Sequence, residues 1–483
     1  MPVGVQIRTS LRTGPTNPTG PEVSAWFVAG ITAQGPTTGR IPAVHNIAEY
    51  EQVWGPRTPD TGILYDQAMT FFAEGGGTLY VARGVGPAAQ AGGVVINNTD
   101  SPAEPALQII ALNPGTADAA RIAVDVSSAG AQGAVVKVSR DGQVQETYVG
   151  ASVTDIVDAM RSSLLVSASP MGASDPTLPP AAGHYTLDGA ADDNGAVSLQ
   201  TLSTALDTLG DDYGPGAVSI PGYTADQVAN TLAAHCARAF RVAITAGAQG
   251  ASVPELASTA AGATGLAEWG GVFAPWVIIP DGSATRTISP EGYIAGVRAR
   301  AFSIEDQFWQ VPAGQRALAQ FVRGTDVIYD VDDINELADE YQVSGIITRR
   351  GSVYLYQYRS LSVNEQQWAL LQSRDTVNAL TARLSTALEP FVWDVIDGKH
   401  QLESNVLGAM IGVLQPISDQ NGLYSEYDAD GNLIHNGYIV AATSTADQLG
   451  RNTIAATASV KLSPFAALIE IELVKASFTA PLV

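Results

Sequence analysis

Residues 216–245 read GAVSIPGYTADQVANTLAAHCARAFRVAIT, and the order of elements in this stretch decides the fold class. GAVSIPG is a short strand ending in a Pro-Gly turn, and FRVAIT is a second strand. Between them Thr224 and Gln227 have the spacing of a capping box, which opens a helix through His235. Val228, Leu232 and Cys236 form one apolar stripe on that helix. Strands separated by helical stretches of this length imply a mostly parallel sheet covered on both faces.

The rhythm continues in both directions. Upstream, VSAWFVAGI (23–31) reads as a buried strand and GPTTGRIP (35–42) as a loop. Asn46 with Glu49 starts a helix that stops at Gly55, Leu64, Ala68 and Phe72 mark a second, and TLYVARG (78–84) is the next strand. Leu199, Leu202, Leu206 and Leu209 form another helical stripe. Downstream come a helix near 253–263, a strand FAPWVIIP (273–280), a helix DVDDINELADEYQ (330–342) and the strands GIITRR (345–350) and SVYLYQYRSL (352–361). Trp368, Leu371, Val377, Leu380, Leu384 and Leu388 predict one long helix over about 364–390, and Leu402, Val406, Met410 and Leu414 another.

Two kinds of sequence interrupt this pattern. Between 86 and 183 it gives way to β-like runs, LQIIAL, RIAVDV and AVVKVSRDGQVQETYV, with Asp141-Gly142 as a hairpin signal. At the ends, Val3, Val5 and Ile7 alternate before TGPTNPTGP, and beyond Ser463-Pro464 Ala467, Ile469, Ile471 and Leu473 oppose Leu468, Glu470, Glu472 and Val474. The expectation is an α/β, multidomain chain: a mostly parallel sheet flanked by helices, a β-rich inserted domain and extended terminal strand arms. Its segments are an arm at 1–22, the α/β core at 23–85 and 184–289, an inserted outer domain at 86–183, a C-terminal core domain at 290–463 and an arm at 464–483.

Composition narrows the function. At 483 residues with 46% hydrophobic and 15% charged, the chain can fill more than one core. A formal charge of −23 repels phosphate backbones and anionic lipid, so neither nucleic acid nor membrane insertion is expected. Cys236, the only cysteine, permits no internal disulfide, and MPVGVQIRTSLRTG has no apolar leader core, so folding in a reducing cytoplasm is expected.

No motif demands chemistry. Gly84, Gly86 and Ala89 after a strand, with Asp100 beyond, approach a dinucleotide fingerprint, but the following QAGGVVINNTD lacks the helix whose N-terminus would hold phosphate. Glu426, Asp428, Asp430 and Gly431 resemble a calcium loop whose twelfth position is Gly437 instead of a bidentate Glu, and a hairpin at Asp430-Gly431 accounts for them. His45, His184, His235, His400 and His435 never share helical ligand spacing. Asp330, Asp332 and Asp333 precede Ile334 as helix-capping charge. No catalytic residue, metal site or cofactor is expected.

Taken in order, several segments resemble the contractile-tail sheath family of phage tails, tail-like bacteriocins and extracellular injection systems. They are PVGVQIRT, AWFVAGITAQGPTTGRIPAVHNIAEYEQVWG, AMTFFAEGGGTLYVARGVG, YTLDGAADDNG, VSIPGYTADQVANTLAAHCARAFRVAI, YLYQYRSLS and SPFAALIEIEL. The most telling is WVIIPDGSATRTISPEGYIAGVRARAFSIEDQFWQVPAG, with Ser289, Pro290, Gly292, Ala295, Gly296, Arg298, Arg300, Trp309, Pro312 and Ala313 in the family's order. The chain departs where many members carry an arginine pair: ALLQSRDTV has only Arg374. A second departure is Asp188-Gly189-Ala190, where a double glycine is usual.

The resemblance implies a non-enzymatic subunit that stacks in hexameric rings around an inner tail tube and contracts to drive it through a cell envelope. Implied partners are further copies of itself, the tube protein, and baseplate and tail terminator proteins. The implied location is a virion tail or extracellular injection particle, assembled in the bacterial host cytoplasm. It also implies strand arms joining neighbouring subunits, here Val3, Val5 and Ile7 at one end and Leu468, Ile469, Ile471 and Leu473 at the other. Arg374 and Arg383 are the candidates for facing the tube. The competing readings are a soluble α/β nucleotide-dependent enzyme, motivated by the sheet alone, and a non-contractile shell protein.

Overall fold

A computed structural model describes residues 22–100, 102–171, 177–304 and 306–466. The strand arms expected from Val3, Val5, Ile7, Leu468, Ile469, Ile471 and Leu473 lie outside them. The chain divides into two compact units, one spanning Pro21–Ala382 and the other taking up the chain at Arg383.

The first unit opens with β1 (Trp26–Gly30), every residue buried. Helix α1 (Ile47–Trp54) starts where the Asn46 side chain accepts the Glu49 backbone N–H and ends on Gly55 at φ 88°. Helix α2 (Gly62–Ala73) follows, and it buries Leu64, Ala68 and Phe71 rather than Phe72, because its inner face winds back by one position. Strand β2 (Leu79–Arg83) then pairs in parallel with β1.

The interruption forms two antiparallel sheets around a core of its own, with Ile109, Val124, Val136, Val138 and Ile156 fully buried. One sheet holds β3 (Gly93–Asn97), β4 (Pro105–Ala111) and, later, β8 (Val166–Pro170). Helix α3 (Thr116–Arg121) leads to the other sheet: β5 (Ile122–Ser128), β6 (Ala134–Arg140) and β7 (Gln143–Gly150). The β6–β7 turn has Asp141 at φ 54° and Gly142 at φ 75°, the two positive φ values a two-residue type I′ hairpin requires. Helix α4 (Val153–Met160), absent from the sequence expectation, is capped by Ser152, whose Oγ accepts the Asp155 N–H. Strand β9 (Gly183–Thr186) pairs with β5, so this module reaches past residue 183.

The main sheet resumes after α5 (Leu199–Leu206). Strand β10 (Gly216–Ser219), helix α6 (Ala225–Ala239) and strand β11 (Arg241–Ala246) are the βαβ unit read from the sequence. Gln227 accepts the Thr224 N–H at 3.0 Å as the capping box requires. The helix runs past His235 to Phe240, a left-handed cap at φ 53°, so FRVAIT begins one residue late as a strand. Helix α7 (Val253–Gly262) leads to β12 (Gly270–Ala274). The expected strand FAPWVIIP is broken, because Pro275 has no N–H for the ladder: β12 ends at Ala274, and β13 (Val277–Asp281) pairs instead with β14 (Ala284–Ile288).

Helix α8 (Glu291–Ser303) follows, then β15 (Gly324–Thr325), α9 (Val331–Asp339), β16 (Ser344–Arg349) and β17 (Ser352–Leu355). The sheet order is β17-β16-β12-β11-β10-β1-β2, parallel except where β17 turns back on β16. Thus residues 344–355, expected with a C-terminal region from 290, extend the same sheet. The long helix expected over 364–390 is two, α10 (Glu365–Trp368) and α11 (Leu371–Leu388).

In the second unit, α12 (Gln401–Asp419) buries Leu402, Val406, Met410 and Leu414, the stripe seen in the sequence. Strands β18 (Glu426–Tyr427) and β19 (Leu433–His435) form the hairpin expected at Asp430-Gly431. Strand β20 (Tyr438–Thr443) pairs antiparallel with β21 (Ala455–Val460) across the short helix α13 (Ala446–Leu449).

Candidate functional site

The segment carrying the strongest resemblance folds into a buried seam. Helix α8 has a helical sequence with apolar residues on every side, and all of it except Arg300 and Ser303 is buried. Gly292 and Gly296 bring it against α2: a Cβ on Gly292 would stand 2.5 Å from the Gln67 carbonyl oxygen, and one on Gly296 2.8 Å from that of Phe71. Side chains there would push the helices apart, so the glycines are packing residues.

Charges lock this seam. Arg298 donates to both Asp375 carboxylate oxygens, at 3.0 and 2.6 Å, and to the Val23 carbonyl at 3.0 Å. Tyr358 donates to the same carboxylate at 3.0 Å. Burial opposes the Arg298 charge, Asp375 and Tyr358 together more than offset that, and the arginine's pKa rises. Arg300 binds the Glu74 carbonyl, while the Glu74 carboxylate accepts the backbone N–H groups of Gln320, Phe321 and Val322 at 2.8–2.9 Å. Each charge has fixed partners, which is the condition under which buried ions are tolerated. Two atoms in the seam remain unpartnered, Nη1 of Arg298 and one carboxylate oxygen of Glu291 at the start of α8, and burial pushes the Glu291 pKa up to about 7.

The site that an open α/β sheet offers a ligand is small here. The sheet's topological switch lies between β1 and β10, where open α/β folds hold ligands. The crevice there is about 170 Å³, lined by Ile31, Leu64, Val197, Leu202 and Tyr223, below the several hundred cubic ångströms typical of a ligand pocket. After β2, a Cβ on Gly84 would stand 2.5 Å from Leu202 and one on Gly86 would meet the Asp193 backbone, and Asp100 lies in the turn after β3. These glycines make room for the protein's own atoms; the next regular element after Ala89 is a strand. Asp428 accepts the Asp430 and Asn432 N–H groups, which ties off the loop that resembles a calcium site. Asp330 caps α9 by accepting the Asp333 N–H.

The five histidines are scattered: His184 meets Asp125, His400 meets Glu403 and His435 meets Glu426, while His45 lies against the Gly77 carbonyl. His235 lies 2.7 Å from Arg241, and burial, then that arginine, lower its pKa to about 3. Cys236 is fully buried, and burial pushes its thiol up. Among the described residues no group of three His, Cys, Asp or Glu side chains is arranged to hold a metal, and no helix is long and apolar enough to cross a membrane.

Of the two arginines expected to face a tube, Arg374 is engaged within the chain. It pairs with Glu268 at 3.0 Å, its guanidinium lies 4.2 Å from the Trp269 ring and 4.0 Å from that of Trp368, and its side chain is 12% exposed. Arg383 is half-buried on α11.

The sequence reading missed the ribbon of β20 and β21, although YIVAAT after Asn436-Gly437 carries a strand signal. Its register places Ile439 opposite Ser459 and Val440 opposite Ala458. Val440, Ala442 and Ile454 pack on the α12 core, while Ile439 points to solvent. Among the described residues neither outer edge of this ribbon pairs with another strand.

No protein-family model and no curated protein matches the chain by sequence. Solved structures do match. The sheath tail protein of Listeria innocua aligns with 92% of this chain and 96% of its own, at 11% identity and a TM-score of 0.60. The helical sheath of the anti-feeding prophage in its contracted state aligns over 98% and 99%, at 15% identity and a TM-score of 0.57. The contracted sheath of the extracellular contractile injection system PVC aligns over the same shares, at 13% identity and 0.55. A two-unit chain with a seven-stranded sheet, a buried arginine-locked helix and an open ribbon thus has the fold of the contractile sheath proteins.

Proposed function

We propose that this protein is a structural subunit of a contractile sheath, polymerising as stacked rings around an inner tube and shortening to drive that tube through a cell envelope. The observation that carries this reading is the full-length likeness to sheath proteins of injection systems and tails. On this reading its partners are copies of itself, the tube, and the baseplate and terminator at the sheath's ends. It works in a virion tail or an extracellular injection particle.

The open β20–β21 ribbon supports a donated-strand model. Two six-residue strands are marginal by themselves, and each exposed edge is a row of backbone donors and acceptors ready for another chain. Val3–Arg8 and Leu468–Lys475 of neighbouring copies are the proposed donors, with register set by alternation. Such head-to-tail donation propagates rather than closes. The β3–β9 module, which has its own core, is proposed to face outward. Arg383 stays a candidate tube contact.

Purified protein at high concentration should form striated tubes by negative-stain microscopy. Proline at Ile471 should leave folded, soluble chains without tubes. Compact particles from the unaltered chain at every concentration would sink the sheath reading.

A further inference from the structure

The least expected surface of the molecule is the loop between α11 and α12. Trp393 is 97% exposed, and Val395 and Val392 beside it are 82% and 62% exposed. Trp393 also sits at φ 72°, a left-handed conformation that is an outlier for a bulky residue. A fold that holds a large aromatic ring in strained backbone and in water gains nothing for its own core by doing so.

Beside the ring runs a groove of about 800 Å³ with Phe391, Ile396, Leu402 and Val406 on one side and Ile454 and Ala456 on the other. Ile454 immediately precedes β21 and Ala456 lies in it, so the groove continues from the ribbon. Asp394 is the single charged residue of its lining.

Charge points to an occupant. The protein carries 48 acidic against 25 basic residues, yet residues 1–21 contain Arg8, Arg12 and no carboxylate. Within them TSLRTG (9–14) places Leu11 directly before Arg12. A strand of residues 3–8 laid along the ribbon would need only three more residues, about 10 Å of extended chain, to bring Leu11 over the groove.

We propose that the Trp393 groove receives residues 9–14 of a second copy, with Leu11 against the indole and Arg12 against Asp394. The contact rests on the sheath reading only for its supply of neighbouring copies. It gives the arm an anchor that backbone pairing lacks: strand pairing is tolerant of sequence, whereas a buried aromatic contact with a charge beside it fixes register and partner.

The test uses a fluorescently labelled peptide of residues 1–21 added to the full-length protein and followed by anisotropy. Binding should weaken about tenfold or more in Trp393→Ser, since a buried tryptophan is a common hot spot. Trp393→Phe should keep most of it, and circular dichroism should show both variants folded. Asp394→Arg should weaken the wild-type peptide and favour one carrying Arg12→Asp. No binding to the unaltered protein, or equal binding to Trp393→Ser, overturns the proposal, and so does failure of the charge swap. Microscopy of the same preparations tests the sheath reading separately: absence of tubes from unaltered protein rejects that reading whether or not the peptide binds.

Discussion

The α8 seam and the β20–β21 unit differ in how much each completes by itself. In the seam every residue from Glu291 to Ala299 is buried, and the Arg298, Arg300, Glu74 and Asp375 side chains all have partners inside the first unit. In the ribbon no residue is fully buried, Ile439 faces water as Trp393 does in the loop before α12, and both strand edges stand open among the described residues. One region is finished by folding. The other keeps open edges, and on the proposed sheath reading a neighbouring copy would complete them, giving the subunit a surface that gains stability in the assembly.

The sharpest way to break this contrast is to remove Arg298. Arg298→Ala leaves the buried Asp375 carboxylate without its countercharge, with only Tyr358 donating to it, and the Val23 carbonyl without the Arg298 donor, so stability should fall by about 3–5 kcal/mol. Ile439→Ser, on the ribbon's solvent face, should change it by less than about 0.5 kcal/mol while slowing assembly. Urea unfolding followed by circular dichroism measures both. Equal losses would show that the ribbon belongs to the subunit's own core.

Much of the fold was legible in the sequence because its devices are local. Asn46, Thr224 and Asp330 announce helix starts with their side chains, Asp141-Gly142 announces a hairpin, and the stripe Leu402, Val406, Met410, Leu414 announces a buried face. What was not legible depends on distant partners. Arg374 looks like a free cation on a helix until Trp269 and Glu268, about a hundred residues earlier in the chain, are folded around it. Pro275 shows why FAPWVIIP cannot be one strand, yet only the folded chain shows that VIIPD leaves the main sheet for a hairpin. The ribbon was overlooked because half-exposed strands of Ala, Thr and Ser lack the apolar alternation that marks strands elsewhere.

A smaller effect tests the seam through pH. Burial raises the Glu291 pKa to about 7, well above its ordinary value of 4.5. A carboxyl raised on folding stabilises the native state fully below the unfolded value, and that contribution is lost as pH climbs through the folded one. The protein should therefore lose on the order of 1–3 kcal/mol between pH 4.5 and pH 8 from this group, and Glu291→Gln should remove that component. His235 works in the opposite sense: its neutral form is held down to about pH 3, so its contribution is lost as pH falls from about 6.5. Denaturant midpoints for both proteins across pH 5 to 8 measure the difference. Parallel curves would mean that Glu291 keeps its charge in the fold.

Another small effect separates the two regions by their glycines. On α8 a Cβ at Gly296 would stand 2.7 Å from the Glu74 Cβ and 2.8 Å from a backbone oxygen, so the position is fixed by close helix packing. Gly408, in the middle of α12, has nothing within 4 Å of where a Cβ would lie and is exposed. No close approach or positive φ requires glycine there. Alanine at this site restricts the unfolded chain without straining the folded one, so Gly408→Ala should raise the stability of the second unit by about 0.5–1 kcal/mol. The gain should appear as a shift of that unit's melting transition. A loss would mean that the open face of α12 is already closely covered by another part of the chain, and the contrast between a finished seam and an unfinished ribbon would no longer hold.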